Sequence, residues 1–190
     1  MKRTTHFLNR FVLQQSAHTP ARTNSQIPFK EAAVIIPLIQ RNDEWFVLFT
    51  QRSWQLRHHP GQICFPGGKK DASDASLQMA GLREMEEELG ISAEQIHLIG
   101  KLASGQTLSG YQIHPYLAIL QQPVEYFPSK DEVAAVFELS LESLLDIGNY
   151  HLQIIQRNEK SHKIIGLTVD GWFIWGATAK MLYQLAKQYG

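Results

Sequence analysis

A single cysteine, Cys64, among 190 residues leaves no intrachain disulfide and no cysteine-built zinc site, which suits a reducing compartment. Net charge is lacking too: eighteen Lys and Arg balance eighteen Asp and Glu, so no global field marks nucleic acid or an anionic membrane as the partner. No apolar run approaches the length that crosses a bilayer, and the expectation is a cytoplasmic protein. Repeats and low-complexity tracts are missing, and 44% apolar side chains fill one sizeable core with little left for a second. Acidic residues are absent before Glu31, whereas Lys2, Arg3, Arg10, Arg22 and Lys30 precede it, the composition of an organellar presequence. "THFLNRFVLQQ" argues the other way. Its Phe7, Leu8, Phe11 and Val12 fall at helical spacing and describe a short amphipathic helix docked on a folded body. The expected organisation is an N-terminal helix and connecting segment over 1–26, with the polar "SAHTPARTNSQ" of 16–26 as the tie, and one domain over 27–190.

Two apolar, β-branched and aromatic runs, "AAVIIPLIQ" (32–40) and "EWFVLFTQR" (44–52), are separated by "RND" and read as a hairpin. Pro37 interrupts the first run, which places it at an edge or a bulge. "LRHHPGQICFPGG" reads as loop, short strand and Gly-rich turn, and residues 75–89 as a helix stopped by Gly90. Further strands are expected in "IHLIGKLAS", "QIHPYLAILQ", "YHLQII" and "KIIGLTV", an apolar helix at about 139–147, and a last helix in "GATAKMLYQLAKQ". Strands mixed with three or four helices make the fold α/β or α+β.

On a helical wheel Glu84, Glu87 and Glu88 share one face, while Leu82, Met85 and Leu89 cluster on another that can meet the core. Like charges at i and i+4 cost a helix roughly 0.2–0.5 kcal/mol, and carboxylates near its C-terminal end oppose the macrodipole. A hard divalent cation offsets both, because Mg²⁺ prefers carboxylate oxygens and sits between acids and phosphates. A solvated acidic face is the plain alternative for a lone glutamate run. Here the run follows "FPGG", whose Gly67 and Gly68 let backbone amides approach an anion, and Arg83 beside Glu84 offers a partner that orients a ligand.

The order of these residues resembles a known family. "REMEEELGI", Arg83 to Ile91, is similar to the Arg-Glu-apolar-x-Glu-Glu-x-Gly-apolar core of the Nudix box, with Gly68 near the box's first glycine. "LFTQRSWQLRHHPGQICFPGG", running straight into the box, resembles the signature of the coenzyme A pyrophosphatase branch through Arg52, Ser53, Arg57, Gly61 and Phe65 to Gly68. "RFVLQ", "DEVAAVFELSLESLL" and "IWGATA" are also similar to that branch, so the likeness covers most of the chain. One departure stands out: the general box has a glutamate where this chain has Asp74, one residue further from Arg83, so no role carries over to Asp74.

The resemblance implies an α/β fold, a Nudix-type α/β/α sandwich around a mixed β-sheet, and hydrolysis of a diphosphate linked to another group, with Mg²⁺ or Mn²⁺ as cofactor. It implies Glu84, Glu87 and Glu88 as metal ligands and Arg83 as their companion. The general base differs between Nudix enzymes. It is either a box glutamate or an acid on a distal loop, where Glu132 is the candidate and Asp131 its neighbour. Arg52, Arg57, His58, His59, Lys69 and Lys70 crowd within nineteen positions, and coenzyme A brings a diphosphate and a 3′-phosphate that need positive partners. Arg52, Arg57, His58, Gly67 and Gly68 are therefore the substrate-binding candidates. Trp172 and Trp175 offer stacking surfaces for adenine, although aromatics before a C-terminal helix more commonly serve the core. The expected activity is metal-dependent cleavage of coenzyme A or its thioesters into adenosine 3′,5′-bisphosphate and (acyl-)4′-phosphopantetheine. The rival readings are a hydrolase of other nucleoside diphosphate derivatives, such as ADP-ribose or dinucleotides, and a noncatalytic nucleotide sensor. The expected partner is a small molecule rather than nucleic acid or membrane, and the sequence leaves a homodimer open.

Overall fold

The computed structural model describes residues 3–15, 29–107, 109–157 and 160–189. The polar tie over 16–26 lies outside the described residues. In chain order the first half holds α1 (Arg3–Gln15), β1 (Lys30–Arg41), β2 (Glu44–Arg52), β3 (Ile63–Cys64), β4 (Gly67–Lys69) and α2 (Leu77–Leu89). The second holds β5 (Ile96–Lys101), β6 (Gly105–Gln106), β7 (Tyr111–Leu120), β8 (Val133–Ser140), α3 (Leu141–Leu145), β9 (Tyr150–Arg157), β10 (Lys160–Val169), β11 (Trp172–Trp175) and α4 (Ala177–Tyr189).

The expected hairpin forms β1 and β2. Asn42 and Asp43 take φ of 47° and 64°, the left-handed geometry that a two-residue hairpin turn demands and that Asn and Asp tolerate. Arg41 pairs with Glu44 across it. The main sheet runs β3-β2-β1-β7-β5, with β4 also on β1, β6 on β7 and β8 on β2. It is mixed, because β1 and β7 are parallel while the other pairs are antiparallel.

Pro37 lies inside this sheet rather than at an edge. Strand amides alternate sides, and the Ile35 N–H donates to the Pro66 carbonyl at 2.9 Å on the β4 side. Two residues on, Pro37 would aim a donor the same way, where pairing with β4 has ended at Val34 and pairing with β2 begins at Leu38. Its missing N–H falls in the gap between two partners, so the strand continues.

Side-chain alternation along β1 divides the core in two. Ile36 and Leu38 join Val47 and Phe49 against α3, α4 and the phenylalanines of α1. Ala33, Ile35 and Ile39 join Leu48, Tyr116 and Ala118 against Met85 and Leu89 of α2. Each such buried side chain contributes about 1.5–3 kcal/mol. Helices thus cover both faces, giving an α/β/α sandwich. On α1, Phe7 and Phe11 are fully buried and their rings meet Tyr189 at 5.6 and 5.2 Å, whereas Val12 of the same expected stripe faces solvent. The helix expected at 139–147 is shorter: Leu139 and Ser140 close β8, which pairs with β2 along its length, and only Leu141–Leu145 turn helical. Strands β9 to β11 form a second antiparallel sheet, joined to the first where Trp172 stacks on Phe137 at 3.8 Å.

Candidate active site

The acidic helix stops at Gly90 as expected and starts at Leu77, two residues later than expected. Ser76 accepts from the Met79 N–H at 3.2 Å, an N-cap contribution of about 1 kcal/mol. Gly90 takes φ of 68° and sends its N–H to the Glu86 carbonyl at 2.8 Å. Met85 and Leu89 anchor the helix on the core, and Leu82 is half-buried beside them.

Arg83 is the hub of the acidic face. Its Nε and Nη2 donate to the two oxygens of Asp74 at 3.1 and 3.2 Å, a bidentate pair. Its Nη1 donates to Glu84 Oε1 at 3.0 Å and to Glu87 Oε2 at 2.7 Å, and Nη2 also reaches the Lys69 carbonyl at 3.2 Å. Asp74 takes up the Asp71 N–H at 2.8 Å as well. The Arg83 bonds, then the Asp71 amide, hold its carboxyl below the usual range, and Asp74 in turn pushes the guanidinium further up. Asp74, to which the box comparison carried no role, is therefore the anchor of the arginine that organises two box glutamates. The sequence signal was available: a carboxylate on the loop leading into a helix stands where it can reach an arginine in the helix's second turn.

Glu84 lies directly over Gly68, where an added Cβ would collide with Oε1 and stand 2.8 Å from Oε2. Glycine at this position makes room for the carboxylate. Burial raises the Glu84 carboxyl, with Arg83 opposing. Glu88 is 3% exposed, and its carboxyl is pushed up to about 8, chiefly by burial and next by Glu84, against the pull of Arg52 and the Gly67 backbone amide. Among the described residues, Glu88 Oε2 is a buried side-chain oxygen with no hydrogen-bond partner. Such an oxygen costs about 1–3 kcal/mol or more when charged, and a bound cation removes that cost. Two desolvated carboxylates and an orphaned oxygen fit a hard divalent ion. The third expected ligand is placed otherwise: Glu87 is 56% exposed and drawn to Arg83. Among the described residues, no group of three His, Cys, Asp or Glu side chains is gathered closely enough to hold a metal.

The distal loop reaches this site because it caps α2. The Phe127 N–H donates to the Leu89 carbonyl at 2.7 Å and the Ser129 N–H to the Glu88 carbonyl at 2.9 Å, satisfying acceptors that a helix end leaves open. Glu132 follows three residues later, near enough to raise both Glu84 and Glu88 electrostatically, and its carbonyl accepts from the Ser53 N–H at 2.8 Å. Arg52, one residue before Ser53, faces Glu88 and also the Cys64 thiol, which burial pushes up to about 11. Thr50 Oγ1 stands 3.4 Å from that sulfur. Sequence reading gave Cys64 no place here; only the β2–β3 pairing Thr50↔Cys64 brings it in.

The structure thus gathers Arg52, Gly67, Gly68, Arg83, Glu84, Glu88 and Glu132, with Glu87 on the solvent side. Arg57, His58 and His59 stand exposed on the loop that leaves Arg52, and Lys69 at the end of β4 and Lys70 after it are exposed. Trp172 is covered by Phe137, while Trp175 is 41% exposed.

A mixed sheet between helices carries buried carboxylates over a glycine turn beside arginines, an arrangement suited to a hydrolase of phosphoanhydrides. Residues 28–158 match the NUDIX domain. A relative from Salmonella typhimurium, the uncharacterized Nudix hydrolase NudL, is 39% identical over 185 residues, covering 97% of this chain and 94% of its own. Among solved structures, a MutT/nudix family protein from Enterococcus faecalis aligns with a TM-score of 0.53 at 14% identity, over 95% of this chain and 67% of that one. An Ap4A hydrolase from C. elegans aligns with a TM-score of 0.52 at 21% identity, over 61% and 83%. These two likenesses speak for the fold. The chain belongs to the Nudix hydrolases, pyrophosphohydrolases that act on small molecules and generally use divalent ions such as Mg²⁺ or Mn²⁺. Among the described residues, no helix is long and apolar enough to cross a membrane.

Proposed function

We propose that this enzyme cleaves the diphosphate of coenzyme A or its thioesters, giving adenosine 3′,5′-bisphosphate and (acyl-)4′-phosphopantetheine. The observation that carries the reading is the position of Arg52 and Ser53. The upstream segment that resembles the coenzyme A branch includes both, and the Ser53 N–H donates to the Glu132 carbonyl at 2.8 Å while Arg52 lies close enough to Glu88 to oppose the rise of its carboxyl, which sets that signature beside the box. The Arg52 N–H donates to the Gln62 carbonyl at 3.0 Å and the Arg52 carbonyl accepts from the Gly61 N–H at 3.1 Å, so the loop bearing Arg57 and His58 is closed at its neck beside the carboxylates.

Glu84 and Glu88 are the residues that would hold Mg²⁺ or Mn²⁺, with Glu87 as the third candidate. When bound there, a divalent ion would supply neutralisation of charge on nonbridging phosphate oxygens and activation of water. The chain's own part is orientation and charge. Arg83, fixed by Asp74, holds Glu84 and Glu87 in place through its hydrogen bonds. Arg52 supplies positive charge for the diphosphate opposite Glu88, and Arg57 and His58 extend it along the substrate. Glu132 is the distal candidate to take the proton from water. It is exposed, and among the described residues it is not paired with an arginine.

The test is mass spectrometry of products after incubation with Mg²⁺ or Mn²⁺ and, separately, coenzyme A, an acyl ester, ADP-ribose and a dinucleotide. The expected result is adenosine 3′,5′-bisphosphate released much faster from the coenzyme A substrates. Preference for ADP-ribose or a dinucleotide retains the hydrolase and discards the coenzyme A assignment.

A further inference from the structure

Trp54 is 68% exposed, yet its ring is not free to wander. The six-membered edge of the indole lies on the Cα of Gly61, where an added Cβ would stand 2.7 Å from Cζ2 and closer still to the neighbouring ring atoms. Gly61 also takes φ of 69°, so it is glycine both for its backbone and for the ring above it. The loop between is short and closed: Gly61 N–H to the Arg52 carbonyl at 3.1 Å, Leu56 N–H to the Ser53 carbonyl at 3.3 Å and Gln55 N–H to Ser53 Oγ at 3.4 Å. A large apolar surface is therefore held out in water in one orientation, although folding gains little from it.

Its neighbours say what such a surface meets. Two residues back is Arg52, facing Glu88, and Ser53 between them is bonded to Glu132. Three and four residues on are Arg57 and His58, both exposed. A pinned indole beside an exposed arginine and imidazole on the rim of a carboxylate site matches a nucleotide, whose base offers a flat π-face and whose phosphates need positive or hydrogen-bonding partners. The other three tryptophans fit less well: Trp45 is packed against the core, Trp172 is stacked face to face on Phe137 at 3.8 Å, and Trp175 sits on the second sheet.

We infer that the Trp54 indole, propped on Gly61, is the stacking platform for the adenine of the substrate, placing the adenosine half over loop 53–62 and the pantetheine half away from it. This rests on the proposed substrate for its biological meaning, but its test reads binding rather than turnover. The metal-free protein is titrated with adenosine 3′,5′-bisphosphate and with 4′-phosphopantetheine, following tryptophan fluorescence and calorimetric affinity.

Adenosine 3′,5′-bisphosphate is expected to quench fluorescence, and Trp54→Phe to remove most of that quench while largely retaining affinity. Trp54→Ala is expected to weaken adenosine 3′,5′-bisphosphate by about tenfold, the loss of one base stack, and to leave 4′-phosphopantetheine unchanged. Trp175→Phe keeps the quench. Gly61→Ala, which displaces the ring without removing it, is expected to weaken the nucleotide as Trp54→Ala does; circular dichroism shows whether each variant is folded. Equal loss for both half-substrates, or none for the nucleotide with a folded Trp54→Ala, overturns the inference. Failure to cleave coenzyme A with the stacking intact instead overturns the proposed function alone.

Discussion

The acidic half of helix α2 and the loop over 53–62 sit side by side and are built in opposite ways. Every functional carboxylate on the helix is held by something: Glu84 and Glu87 by Arg83, Arg83 by Asp74, and Glu88 by burial and the Gly67 amide. On the loop, Trp54, Arg57, His58 and His59 present themselves to water, and the cross-links run mostly through the backbone. The difference separates two tasks. On the proposed reading, charge that must stay fixed during chemistry is preorganised in a partly dry site, whereas the groups proposed to recognise a substrate stand exposed to water.

The largest expected effect comes from Glu88→Gln, which keeps shape and removes charge. Turnover should fall by about a hundredfold or more, the scale of losing one electrostatic contact made in the transition state. Because Glu88 Oε2 is buried without a partner, the metal-free variant should be as stable as the wild type or more so, by about 1–2 kcal/mol. Thermal melting in chelator checks this. A variant that is both active and less stable would show Glu88 to be an ordinary core residue and erase the contrast between the two regions. Glu87→Gln sharpens it: this exposed carboxylate contributes little to folding, so any loss of turnover reports function alone.

Arg83→Ala comes next. It releases Glu84 and Glu87 and leaves buried Asp74 without its bidentate partner. Losing an outer residue that orients ligands costs about 10–100-fold in metal affinity or activity. The check is a metal titration of activity: a higher metal requirement with partial recovery at saturation is expected, and an unchanged requirement would deny Arg83 its orienting part. Gly68→Ala is milder, about tenfold, because its new methyl displaces only Glu84, whose far end can rotate away.

Much of this site was legible because its parts are close in sequence. The box helix, its Gly90 stop and the 32–52 hairpin rest on local signals, and all three are present. Where contacts are distant, reading failed for identifiable reasons. β8 was hidden because "VAAVFELS" alternates weakly and runs straight into an apolar helix; its strand character comes from pairing with β2. Pro37 misled because edge strands are the common home of proline, and only the changeover between β4 and β2 supplies an interior gap. Trp54 went unremarked because nothing in "RSWQLRHHPG" says that a glycine seven residues on will prop the ring.

The smallest expected effect, Arg57→Ala, tests the recognition side of the comparison. An exposed arginine that meets a substrate phosphate contributes only about one charge-weakened hydrogen bond, roughly 0.5–1.5 kcal/mol in water. KM for coenzyme A should rise about three- to tenfold with kcat nearly constant, because the contact is made equally in ground and transition states. Its dependence on salt is the sharper reading. Added salt screens an exposed pair within a Debye length of about 8–10 Å at physiological strength, so the gap between wild type and Arg57→Ala should shrink as ionic strength rises, while the defect of Glu88→Gln, seated in a buried site, should not. If both defects respond to salt alike, the helix is as wet as the loop, and the division of labour between them does not exist.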